Sequence, residues 1–75
     1  MRCAIFTATP TGTLLARRIR AALPGETVIF AKAGQSQAGM AGYERLAAAV
    51  AEAFPRYDAL VFVMAAGIAV RVLAP

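Results

Sequence analysis

Three small residues, Ala65, Ala66 and Gly67, stand between a strongly apolar run and Arg71. If the run is a strand and a helix begins after Gly67, backbone N–H groups are left unpaired at the helix start. Such groups, with the positive end of the helix dipole, bind anions, and Arg71 could then hold a carboxylate with its planar guanidinium. The pattern predicts an anion site at Ala65, Ala66, Gly67 and Arg71. The same residues also fit a purely structural role, in which Gly67 only permits close helix–strand packing and Arg71 is a surface residue.

Four threonine hydroxyls follow the first apolar run, at Thr7, Thr9, Thr11 and Thr13. Hydroxyls can hydrogen-bond a polar ligand, or they can serve the local backbone. We expect Thr11 to cap the next helix in preference to binding a ligand. Thr7 and Thr9 are assigned to substrate binding, with a structural role left open. The loop has one glycine where a dinucleotide fingerprint needs three, and it lacks the lysine of a P-loop.

Side chains for acid–base or metal chemistry are scarce. The chain has no histidine, and its single cysteine, Cys3, lies inside an apolar run, where a small core residue is expected rather than a nucleophile. The four acids fall in a turn, on helix faces or at the amino end of a strand: Glu26, Glu44, Glu52 and Asp58. We therefore predict no metal and no cofactor, and we identify no catalytic residue.

Three continuous apolar runs must position these groups. Residues 3–6, 27–31 and 58–64 predict strands that are buried on both faces. Strands of this kind are typical of a parallel sheet covered by helices. In such a sheet, ligands collect at the carboxyl ends of the strands.

Apolar residues at helical spacing lie between the runs. They predict helices over residues 13–23 and 43–54, each followed by a proline, and a third helix that begins at Ile68. Residues 32–42 hold three glycines and predict a loop. The order βαβαβα predicts an α/β fold, a three-layer α/β/α sandwich with a Rossmann-like or flavodoxin-like parallel sheet.

Length and composition predict one domain over residues 1–75, near the lower size limit for a single hydrophobic core. The chain is 60% hydrophobic, but much of that is alanine. Because few large side chains are available, we expect its core to be completed by the remainder of a longer chain or by a homo-oligomer partner. The pattern stops at Pro75 without a polar cap, which favours the longer chain. The longest apolar run is too short to span a bilayer, and one cysteine suits a reducing compartment. We expect a cytoplasmic protein without membrane contact.

The net charge of +4, from seven arginines and one lysine against four acids, favours an anionic partner. The arginines are scattered and no aromatic residues interleave with them, which disfavours nucleic acid. A phosphate or a polycarboxylate is the expected class of ligand.

Residues 57–71 resemble the signature of the CbiG N-terminal domain, a stretch similar to YDALVFIMAAGIVVR that precedes Ile/Leu-Ala-Pro, matched here by residues 73–75. The start of the chain also resembles the opening strand, threonine loop and first helix of that family. The matching residues there are Ile5, Phe6, Thr7, Thr9, Gly12, Leu15, Ala16, Arg17 and Ile19.

The resemblance implies a role in cobalamin (vitamin B12) biosynthesis by the anaerobic route. CbiG-like proteins hydrolyse the δ-lactone of cobalt-precorrin-5A and release acetaldehyde to give cobalt-precorrin-5B. Their cobalt-corrinoid substrate is edged by carboxylates, which suits a basic chain. Family members continue past the length of this chain, with a motif similar to SGHxGGAN, so the fragment alone is expected to be inactive. The alternatives are a non-catalytic docking or structural module and a flavodoxin-like phosphate or nucleotide binder.

Overall fold

The first apolar run becomes the central strand of a five-stranded sheet. The computed structural model describes residues 2–34, 39–64 and 67–72, with Met64 and residues 67–72 described by their backbone only. In it, β1 (Arg2–Thr7) pairs in parallel with two neighbours. These are β2 (Glu26–Lys32) on one side and β4 (Ala59–Met64) on the other. The short strand β3 (Ala41–Tyr43) extends the parallel sheet beyond β2. The predicted parallel sheet is confirmed, with β1 at its centre.

Two helices cover opposite faces of the sheet. α1 (Pro10–Ala22) connects β1 to β2, and α2 (Leu46–Ala53) connects β3 to β4. Because successive strand residues point to opposite faces, each helix packs on alternate positions of the same strands. The α1 layer buries Ile5, Ala16, Ile29, Val61 and Val63, and the α2 layer buries Ala4, Phe6, Tyr43, Ala53 and Leu60. The predicted three-layer α/β/α arrangement is therefore confirmed.

A row of three phenylalanine rings crosses the α2 face of the sheet. Phe6 on β1 lies in register with Phe30 on β2 and with Phe62 on β4. Its ring stacks on both, with centroids 4.9 Å and 5.4 Å apart. Phe6 is fully buried, so the row ties the three central strands together through the largest apolar side chains on the sheet.

The third helix predicted to begin at Ile68 is wrong. Residues Gly67–Val72 form β5, which pairs antiparallel with β4 so that Gly67 lies opposite Met64. Helical spacing and a strand are hard to tell apart in so short an apolar run. Two properties favour the strand: the β-branched Ile68, Val70 and Val72 have high strand propensity, and β4 offers backbone groups for them to pair with.

Two boundaries also differ from the prediction. Tyr43, placed by its spacing at the start of a helix, ends β3 instead, and α2 begins three residues later at Leu46. The predicted loop over residues 32–42 thus contains a short parallel strand. A lone aromatic after several glycines gives little local signal for a strand, and β3 exists because β2 supplies its pairing partners, Phe30 to Lys32.

The amino end of the sheet is tied together by Arg2. Its backbone N–H donates to Asp58 at 2.8 Å, and its Nε donates to Glu26 at 2.6 Å. Its guanidinium also lies over the Tyr57 ring, 4.9 Å from the centroid. Two of the four acids are therefore engaged at the edge opposite to the one where ligands are expected. Within the described residues, no helix is long and apolar enough to cross a membrane.

Candidate functional site

The chain changes direction across the sheet between β1 and β4, two adjacent parallel strands. From β1 the chain passes through α1 to β2, which lies on one side of β1. From β3 it returns through α2 to β4, which lies on the other side of β1. β1 and β4 therefore form a topological switch point, and ligands of open α/β sheets bind outside the carboxyl ends of the strands at such a point. We call the surface outside the carboxyl ends of β1 and β4, next to the predicted threonine loop, the β1–β4 crevice.

Gly12 brings the start of α1 onto the end of β4. A Cβ atom built on Gly12 would lie 3.0 Å from the carbonyl oxygen of Val63 and 3.0 Å from Oγ1 of Thr9. Such distances are tighter than ordinary van der Waals contact, so only glycine fits without a shift of the backbone. The first turn of α1 is thereby held at the crevice, against the last residues of β4.

Thr9, not Thr11, caps α1. Its Oγ1 accepts a hydrogen bond from the Gly12 N–H at 2.9 Å, and its carbonyl oxygen accepts from the Thr13 N–H at 2.9 Å. The helix starts at Pro10, a residue suited to the first helical position because it has no N–H to satisfy. The prediction of Thr11 as the cap is wrong, since Thr11 lies within the first turn and is exposed.

Thr7 is fully buried and joins this cap to the sheet. Its Oγ1 lies 2.8 Å from Oγ1 of Thr13, whose own proton goes to the carbonyl oxygen of Thr9 at 2.9 Å. Since Thr13 has one proton to donate, Thr7 is the donor between the two hydroxyls. Thr7 and Thr13 thus hold the loop in place from beneath. The partly exposed Thr9 is the predicted threonine with access to the crevice.

Tyr43, which the sequence pattern does not assign to the site, completes the network from the far side of β2. Its hydroxyl donates to the carbonyl oxygen of Thr7 at 2.8 Å. Burial raises the pKa of the Tyr43 hydroxyl above the ordinary tyrosine value of 10.0, because the phenolate would lose its hydration. Tyr43 therefore acts as a hydrogen-bond donor that fixes the end of β1. Its neighbourhood in sequence, Ala41 and Gly42, carries no signal for such a role.

The small-residue segment is only partly described. Ala65 and Ala66 lie outside the described residues, while Gly67 begins β5 beside the carboxyl end of β4. The helix start on which the anion site was predicted is replaced by this strand. Arg71 pairs opposite Leu60, four residues from Gly67 along the strand and therefore about 13 Å from that end. The assignment of these four residues to substrate binding stays a prediction.

The carboxyl edge carries a cation at Lys32, the exposed last residue of β2. No acid follows β1, β2 or β4 in the sequence at this edge, whereas Glu44 follows β3, whose last residue Tyr43 pairs with Lys32. In residues 2–34, 39–64 and 67–72, no group of three or more histidine, cysteine or acidic side chains could hold a metal. The arrangement can bind and orient an anionic or polar ligand, and its described side chains include no general base at the crevice.

The comparisons with known proteins agree with the predicted resemblance. A family model described as Cobalamin synthesis G N-terminal matches residues 48–75, which include most of α2 together with β4 and β5. The chain is 41% identical over 73 residues to the cobalt-precorrin-5A hydrolase of Salmonella typhimurium. That alignment covers 96% of this chain and 20% of the relative, so the chain spans about a fifth of the relative's length. No solved structure matches the chain.

Proposed function

We propose that this chain, a relative of the N-terminal region of CbiG proteins, serves in cobalamin biosynthesis as part of a cobalt-precorrin-5A hydrolase, where it helps to bind the corrinoid substrate. The similarity to a curated hydrolase along nearly the whole chain carries the enzyme assignment. The crevice between β1 and β4 supports the binding role. Within the complete enzyme, catalytic groups would come from outside these 75 residues.

A carboxylate edge of the substrate fits the chemistry of the crevice. The first turn of α1 points backbone N–H groups toward the carboxyl edge. Oγ1 of Thr9 caps this turn as an acceptor, so the Thr9 hydroxyl proton can donate a hydrogen bond to a ligand. Lys32 adds a flexible positive charge one strand away. The acids Glu26 and Asp58 are held at the opposite edge by Arg2, so they do not repel an anion here.

The proposed substrate-binding residues are Thr7, Thr9, Ala65, Ala66, Gly67 and Arg71, with Lys32 added from the structure. Within this set the roles differ. Thr7 is buried and supports the loop, whereas Thr9 is partly exposed and Lys32 is exposed. Arg71 was assigned on a helix that is absent, so Lys32 is the stronger candidate for the cation.

Titration of the protein with a cobalt-corrinoid polycarboxylate, followed by the visible absorption of the corrinoid, tests this proposal. Lys32→Ala should weaken binding by about tenfold, the effect of removing one charge-assisted contact. Arg18→Ala is the matched control, because Arg18 is an exposed cation on α1 away from the crevice. Arg71→Ala tests the sequence-based assignment directly.

The binding role is rejected if the corrinoid does not bind, or if Lys32→Ala and Arg18→Ala weaken it equally. An equal effect would mean that only net charge matters. Titration with FMN in parallel tests the flavodoxin-like alternative, which requires saturable flavin binding.

A further inference from the structure

A concave surface lies beside α2, on the face of the sheet remote from α1. This cleft has a volume of about 440 Å³. Its floor and wall are apolar, with rings of Phe30, Tyr43 and Tyr57 and the small side chains of Ala48 and Ala49. Its rim is charged. Four exposed residues supply that charge: Glu44, Arg45, Glu52 and Arg56.

From the order of these four charges we infer that the cleft is an interface between two copies of this chain, packed with their α2 helices antiparallel. Along the chain the signs run negative, positive, negative, positive. Read in the opposite direction they run positive, negative, positive, negative. An antiparallel copy centred between Arg45 and Glu52 therefore sets Arg45 against Glu52 twice and leaves Glu44 and Arg56 of the two copies about 4.5 Å out of register along the axis, within reach of their long side chains, whereas a parallel copy would set like charges together. A surface that complements itself is what a two-fold dimer requires.

The charges at the ends of α2 favour the same arrangement. The amino end of α2 carries Arg45 at the cap position, without a side-chain capping bond, and no acid in the first turn. The last turn holds Glu52 and no basic residue. The positive charge of Arg45 and the negative charge of Glu52 both oppose the helix dipole, which favours acids at the amino end and bases at the carboxyl end. The antiparallel partner brings Glu52 to the amino end and Arg45 to the carboxyl end of each helix.

Small side chains allow the two helices to approach. Ala48 lies between Arg45 and Glu52 on the cleft side of α2 and is exposed. Arg45 and Glu52 are seven residues apart, two turns or about 10 Å along the axis, so both fall on one side of the helix. The ion pair between Glu52 and Arg56 within one chain is 4.0 Å long and exposed, hence weak and easily exchanged for partner contacts.

The α1 layer does not offer a comparable surface for a second copy. Its exposed side chains include Leu14 and Arg18, and the helix contains no acid that could pair with an arginine of a second copy. Self-association is therefore directed to the α2 layer, whose four rim charges sum to zero.

Charge reversal tests the dimer. Sedimentation equilibrium should show a reversible dimer of the protein. The protein concentration should run from about 10 µM to about 1 mM, because a small interface gives a weak complex. Arg45→Glu and Glu52→Arg should each raise the dissociation constant about tenfold or more. The double variant R45E/E52R should return it to within about threefold of the original value, since it exchanges the charges of each cross-pair.

Arg18→Glu is the matched control for Arg45→Glu, because both change the net charge by the same amount, and it should dimerise as the unaltered protein does. Circular dichroism confirms that each variant is folded. A protein that remains monomeric to about 1 mM overturns the inference. So does a dimer that ignores both single reversals, or a folded double variant that fails to recover. Corrinoid binding at the β1–β4 crevice is independent of all these results.

Discussion

The hydroxyl of Tyr43 reaches across β2 to donate a hydrogen bond of 2.8 Å to the carbonyl oxygen of Thr7, the last residue of β1. Both residues are buried. From Thr7 the network continues through the hydroxyl of Thr13 to the backbone of Thr9. A strand at the sheet edge, the central strand and the first turn of α1 are thus joined directly beneath the candidate site.

Removing the Tyr43 hydroxyl should destabilise the fold. Tyr43→Phe keeps the ring in its contact with Phe6 and leaves the Thr7 carbonyl without that donor, at an expected cost of about 1–2 kcal/mol in the free energy of unfolding. Chemical denaturation measures the change. Tyr57→Phe is the control, because no described residue is hydrogen-bonded to the Tyr57 hydroxyl. Equal losses in both variants would contradict a specific role for the Tyr43 hydroxyl.

Tyr43 also predicts a dependence of stability on alkaline pH. Burial raises the pKa of Tyr43 in the folded state above the value of 10.0 expected when unfolded. As the pH rises above 10, the unfolded chain releases this proton first, so stability falls until the pKa of the folded state is passed. Denaturation between about pH 8 and pH 11 should show a steeper loss in the unaltered protein than in Tyr43→Phe. Parallel profiles would refute the assignment.

The cap on α1 can be removed without altering the core. Thr9→Ala should cost about 1 kcal/mol, because the Gly12 N–H loses its side-chain acceptor. Thr9→Ser keeps an oxygen at the same position and should retain most of the stability. Thermal unfolding distinguishes the two. If corrinoid binding also depends on the Thr9 hydroxyl, Thr9→Ala should weaken it and Thr9→Ser should not.

A methyl group at Gly12 should be unfavourable despite the better helix propensity of alanine. The gain in propensity is about 1 kcal/mol. Against it stands a Cβ atom 3.0 Å from the Val63 carbonyl oxygen, which belongs to the backbone of a central strand and cannot move freely. We expect Gly12→Ala to destabilise the protein by about 1–3 kcal/mol, as overpacking does elsewhere. A variant more stable than the original would show that α1 can shift at no cost.

A substitution at Thr27 should raise the stability of the fold, in contrast to the substitutions above. Its Oγ1 is buried, and no described residue forms a hydrogen bond with it. Thr27→Val replaces the unpaired hydroxyl with a methyl group of similar size on a β-branched side chain, so stability should rise by about 1 kcal/mol. Thr13→Val is a useful contrast, since the paired Thr13 hydroxyl should make that change destabilising. Denaturant midpoints for the two variants should move in opposite directions.

The parts of the fold that depend on local pattern could be predicted from the sequence. Continuous apolar runs identified β1, β2 and β4, and the spacing of Leu15 and Ile19 placed a helix between the first two. The single cysteine, Cys3, lies in the core as expected. These features follow from side-chain burial along one segment, which is what periodicity reports.

The features missed are those that depend on distant partners. Gly67–Val72 is a strand because β4 pairs with it, and Ala41–Tyr43 is a strand because β2 does. Thr9 rather than Thr11 is the cap because α1 starts at Pro10. The hydrogen bond from Tyr43 to Thr7 spans 36 positions, and no local rule relates residues so far apart.

The row of stacked rings at Phe30, Phe6 and Phe62 has a consequence for synthesis of the protein. β1 leaves the ribosome before both of its neighbours in the sheet, and one of them, β4, is made more than fifty residues later. Until then, Phe6 has a ring on one side alone and one edge of β1 is unpaired. The nascent chain therefore carries an open apolar strand until residues 59–64 have emerged, and the sheet closes around β1 only then.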